Sequence, residues 1–95
     1  MLTNVNLCLK LNSNNSLAYY VQGIALRYLG KCDDAVKSYQ KAIKINPNYT
    51  NAYINMGSVL EYNDKYEEAI ESYRIAIKID PKNANAYSGL GIALK

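Results

Sequence analysis

Glu61, Glu67, Glu68 and Glu71 stand close enough along the chain to raise the question of paired acid and base catalysis. That chemistry needs a pocket in which neighbouring groups pull two carboxyls apart in proton affinity. These glutamates fall instead on the faces and first turns of helical segments, where exposed charge is ordinary. Nucleophilic catalysis lacks a partner as well. Tyrosine and cysteine are available, but the chain has no histidine, which removes the commonest general base and the commonest transition-metal ligand. Cys8 and Cys32 form no metal or redox spacing and read as free thiols of a reducing compartment. The expectation is a chain with no catalytic residue, no metal and no cofactor.

Binding chemistry is the other possibility. Lys37, Lys41, Lys44, Arg74 and Lys78 could form a basic strip for nucleic acid. Acidic residues interrupt it, and the net charge of +3 is mild, so nucleic-acid binding is the weaker reading. No apolar run approaches the roughly 18 residues of a membrane span. No basic-then-apolar leader opens the chain, so a cytoplasmic location without membrane contact is expected.

The elements that must position any site are set by repetition. The stretch SYQKAIKINP at 38–47 returns as SYRIAIKIDP at 72–81. When 16–49 is laid on 50–83, fourteen of 34 positions are identical, among them Gly23/Gly57, Tyr39/Tyr73 and Pro47/Pro81. Ala86, Tyr87, Gly91 and Leu94 begin a third copy. Within a unit, Tyr53, Met56, Gly57 and Leu60 recur at helical spacing, and Ala69, Ile70, Tyr73, Ala76 and Ile77 form a second stripe. Asn63-Asp64-Lys65 supplies the turn between them, and Pro47 and Pro81 end each unit. Small residues, Gly57 on one helix and Ala69 on its partner, are expected where the two approach closely. The reading is all-α, with helices near 1–12, 16–29, 33–46, 50–63, 67–79 and 84–94.

With Tyr53-x-x-Met56-Gly57-x-x-Leu60, then Ala69-x-x-x-Tyr73, then Pro81, the sequence resembles the tetratricopeptide repeat. Tyr19, Gly23, Leu26, Ala35, Tyr39 and Pro47 carry the same resemblance one unit earlier. It implies a right-handed superhelix of stacked antiparallel pairs, about six helices in one domain over 1–95. The units are 1–15 (a second helix), 16–49, 50–83 and 84–95 (a first helix). Leu2, Val5, Cys8 and Leu9 take the places of Ile70, Tyr73, Ala76 and Ile77. Gln22 in place of Met56, and Cys32 in place of Tyr66, depart from the pattern locally.

The resemblance also implies a protein or peptide partner on the concave face, lined by first helices. Inward positions there are Tyr20, Ile24, Tyr28, Ile54, Asn55, Tyr62 and Ile92. Tyrosines are expected as anchors and asparagines as hydrogen-bonding partners of a peptide backbone. Some relatives clamp the carboxylate tail of heat-shock chaperones with lysines, asparagines and an arginine. The matching positions here are Tyr20, Ile24, Asn55, Asn85 and Gly89, of which only Asn55 agrees. An asparagine ladder found in some glycosyltransferases would need Val21, Asn55 and Gly89 all to be asparagine. Head-to-tail self-association is the alternative, with Leu90 and Leu94 of one molecule receiving Leu2, Val5 and Leu9 of the next.

Overall fold

Pro47 and Pro81 stop two helices at the same point of successive units. The residue before a proline is pushed out of the helical region, and Asn46 and Asp80 have both left it, with φ of −126° and −133°. The computed structural model describes residues 15–94. Among the described residues it holds five α-helices and no strand: α1 Ser16–Tyr28, α2 Cys32–Ile45, α3 Thr50–Tyr62, α4 Tyr66–Ile79 and α5 Ala84–Ala93. Each boundary falls within one residue of the periodicity reading. The helix expected over 1–12 lies outside the described residues. No helix among them is long and apolar enough to cross a membrane.

First helices end in a different turn. The Lys31 N–H donates to the Leu26 carbonyl at 2.9 Å and the Gly30 N–H to that of Arg27 at 3.0 Å. Lys65 to Leu60 (2.8 Å) and Asp64 to Glu61 (3.0 Å) repeat the pattern. This Schellman closure needs one left-handed residue. Gly30 supplies it at φ +79°, and Asp64 at φ +64°. Asp33, Asp34, Glu67 and Glu68 open the second helices and Lys44 and Lys78 close them, as the helix dipole favours.

The pairs α1–α2 and α3–α4 pack side by side, α2 leans on α3, and α4 leans on α5. The first helix α3 approaches both α1 and α5, while the backbones of the second helices α2 and α4 stay more than 8 Å apart. The stack is therefore tighter on the side of the first helices, which is the inner side of a helical solenoid. Ala35, Ala42, Ala52, Ala69, Ala76 and Ala86 are fully buried, so neighbouring backbones approach closely.

The two largest core side chains are Tyr39 and Tyr73. They add a contact that the reading of Gly57 and Ala69 as close-approach positions left out. A long helical side chain points back toward the N-terminus of its helix, so the Tyr73 ring is what covers Gly57. A Cβ on Gly57 would lie 2.9 Å from that ring, and one on Gly23 would lie 2.6 Å from the ring of Tyr39. Gly89 of α5 approaches the Tyr73 ring even more closely. Gly91, which matches Gly57 in the repeat, has nothing within 4 Å of where a Cβ would sit.

Candidate functional site

A cavity of about 560 Å³ opens between the C-terminal halves of α1, α3 and α5. Arg27 and Tyr28 of α1, Glu61 and Tyr62 of α3, and Ile92 of α5 line it, with Ser58 between them. Gly30 and Cys32 form one rim. Tyr28 and Tyr62 are the last residues of α1 and α3, just before the turns, so their rings are only lightly covered. They are 81% and 83% exposed, and Ile92 is 58% exposed. These three of the seven expected groove residues come together at one opening.

The other four are placed between helices. Tyr20 and Ile24 pack against the cluster of Ala35, Tyr39 and Val59, and Ile54 packs against Leu60, Ala69, Tyr73 and Ala93. The Tyr20 ring lies 5.9 Å from that of Tyr39 and 5.0 Å from that of Tyr49. Burial raises the Tyr20 pKa, with hydrogen bonding to Asn55 opposing it. Asn55 is engaged within the chain. Its Nδ2 donates to the Tyr20 hydroxyl at 2.6 Å and to the Asn51 carbonyl at 3.0 Å, and its Oδ1 accepts from Arg27 Nη1 at 3.1 Å. The helix face that looks inward also meets the neighbouring first helix, so half of its column serves as wall. Asn55 ties α3 to α1 and holds the Arg27 guanidinium at the cavity.

Arg27 is the residue that sequence reading missed, and Glu61, set aside there as an ordinary exposed charge, is its counterpart. They occupy the same position of successive units, carry opposite charge and face the same cavity. The signal was present as a sign reversal between aligned copies. Each stands beside a buried tyrosine. The Tyr73 hydroxyl donates to Glu61 Oε1 at 3.3 Å. Burial and then the Glu61 charge push Tyr73 up to about 12. Burial pushes Tyr39 up to about 12 against the pull of Arg27, and its buried hydroxyl has no hydrogen-bond partner among the described residues.

The outer side carries the exposed Lys37, Lys41, Lys44, Arg74 and Lys78. A second hollow of about 400 Å³ there sets Asp33 and Glu68 among Lys37 and Lys65, so both signs are interleaved. No group of three metal-ligating side chains gathers among the described residues. Of the expected stacking residues, Leu2, Val5 and Leu9 lie outside the described residues. Leu90 packs partly against the Tyr73 cluster, while Leu94 is exposed.

A sequence profile of the TPR repeat matches residues 23–64 and again residues 62–95. The chain belongs to the TPR repeat family. No curated protein sequence matches it. Among solved structures, the TPR domain of Arabidopsis OM64 is similar with a TM-score of 0.92 at 25% identity, over 98% of this chain and 77% of that one. The crystal structure of MamA is similar with a TM-score of 0.88 at 29% identity, over 97% of this chain and 54% of that one. This TPR chain thus spans about half the length of the MamA chain. The second TPR domain of human RPAP3, solved with the HSP70 peptide SGPTIEEVD, has a TM-score of 0.90 at 20% identity, over 99% of this chain and 78% of that one.

Proposed function

We propose that this TPR chain is a non-catalytic cytoplasmic scaffold, one domain over 1–95, that holds a peptide segment of a partner protein along its inner groove. The carrying observation is the trio of Tyr28, Tyr62 and Ile92, three large and mostly exposed side chains from three helices around one cavity. Single exposed apolar residues are ordinary. A cluster around a concavity is the form that partner-binding surfaces take, and aromatic side chains dominate their energetics. The second TPR domain of RPAP3 was solved with an HSP70 peptide. The groove of this chain differs in its chemistry, because Tyr20, Ile24 and Gly89 stand where a carboxylate clamp would need charged or amide groups.

A random peptide library selected against the chain tests the reading. Amide shifts on titrating an enriched peptide are expected at Tyr28, Tyr62 and Ile92. Tyr62→Ala is expected to weaken binding by about tenfold or more, as truncation of an aromatic anchor does. Shifts confined to Lys37, Lys41 and Lys44 would instead move the site to the outer face.

A further inference from the structure

We propose that the groove selects a bipolar peptide, with one acidic and one basic side chain about three residues apart and an apolar side chain between them. The inference rests on the groove reading above and adds the chemistry of its occupant. Arg27 and Glu61 share one repeat position, so stacking sets them about one helix spacing apart, roughly 8–10 Å. A polyproline-II chain advances about 3.1 Å per residue and returns to the same face every third residue, so about three residues cover that interval and turn both charges toward one wall. Both charges line the cavity that holds Tyr28, Tyr62 and Ile92.

Neither charge is met by an opposite one in its hydrogen bonds. Arg27 gives Nη1 to the neutral amide of Asn55, and Glu61 receives the neutral phenol of Tyr73. A guanidinium carries five N–H donors and a carboxylate four acceptor sites, so most of each remains for a ligand. Asn55 fixes where the guanidinium stands, since it also bonds Tyr20 and its own helix. A peptide with two acids would place one beside Glu61, and a peptide with two bases would place one beside Arg27. Such like-charge contacts are how interfaces reject wrong partners. An extended peptide can lie in either direction, so its composition, not its order, is the discriminating property.

The test uses three blocked peptides with identical uncharged flanks and the cores Glu-Ala-Leu-Lys, Glu-Ala-Leu-Glu and Lys-Ala-Leu-Lys, titrated by amide shift. The wild-type chain is expected to bind the acid–base core about fivefold more tightly than either like-charged core, the scale of partly exposed ion pairs. Arg27→Glu should make the Lys–Lys core the best ligand, and Glu61→Arg the Glu–Glu core. The double exchange should restore the acid–base preference. Each variant places at one unit the side chain that the other unit already carries there, and circular dichroism checks that the helices are kept. If all three peptides shift the Tyr28, Tyr62 and Ile92 amides with equal affinity in every variant, the bipolar selection is wrong and the groove stands. If no peptide shifts those amides, the groove and the selection fall together.

Discussion

The pairs α1–α2 and α3–α4 share a glycine under a tyrosine ring, a left-handed turn and a proline stop, yet they differ in the polar groups around that frame. In the first pair the buried Tyr39 hydroxyl has no hydrogen-bond partner among the described residues, and Arg27 lines the cavity. In the second, the Tyr73 hydroxyl bonds Glu61. The first turn uses glycine where the second strains an aspartate into the left-handed region. Asn15 caps α1 by accepting from the Ala18 N–H at 3.2 Å, while α3 begins after Tyr49 with no side-chain cap. The lesson is that copies agree where a Cβ or a ring would collide. They are free to diverge where a side chain meets only water or a ligand.

The largest expected effect comes from breaking the shared frame. Gly57→Leu would drive a side chain into the Tyr73 ring, and overpacking of this kind costs about 1–3 kcal/mol. Gly91→Leu, at the matching position of α5 with open space around it, should leave the urea midpoint nearly unchanged. Equal midpoints for the two variants would show that the ring does not seal Gly57.

A smaller effect separates the two tyrosines. Tyr39→Phe removes a buried hydroxyl that has no well-formed partner among the described residues and only the pull of the nearby Arg27, so the variant should be at least as stable as the wild-type chain. Tyr73→Phe loses its bond to Glu61 and should be less stable by about 1 kcal/mol. Denaturant unfolding of both variants reads the difference, and the same sign for both would mean that the two hydroxyls live in equivalent surroundings.

The smallest contrast lies in the turns. Gly30→Ala should cost about 1 kcal/mol, because a Cβ is penalised at positive φ. Asp64→Gly should gain less than about 1 kcal/mol, since it also removes the bond that Tyr66 donates to Asp64 at 3.0 Å. Melting temperatures that move the same way for both would remove the strain assigned to Asp64.

Much of the fold was legible because it is written in local rules: a 34-residue period, helical stripes, a turn tripeptide and prolines that stop helices. Gly57 was read as a close-approach position from its stripe alone. The Tyr73 ring over it was missed, because a stripe gives the face of a helix but not how far a ring reaches back along it. The residues around the cavity were legible in part. Tyr28, Tyr62 and Ile92 project where an inward column should. Tyr20, Ile24, Ile54 and Asn55 lie on the same column but meet a neighbouring helix, and the distance between stacked helices is a tertiary quantity. Arg27 passed unnoticed and Glu61 was set aside because each alone looks like a solvated charge. Only their convergence on one cavity gives them a common setting.

The Tyr73 ring lies between Gly57 of α3 and Gly89 of α5. A single side chain therefore acts as the coupling constant between neighbouring units of a one-dimensional array. Peeling α5 away strips one face of that ring, so the loss is felt inside the unit that stays behind. Amide exchange along α4 should consequently track the detachment of α5 instead of reporting only on its own unit. Units wired in this way separate only together with a loss inside the neighbour, and a peptide bound as proposed beside α5 would act as a brake on that separation.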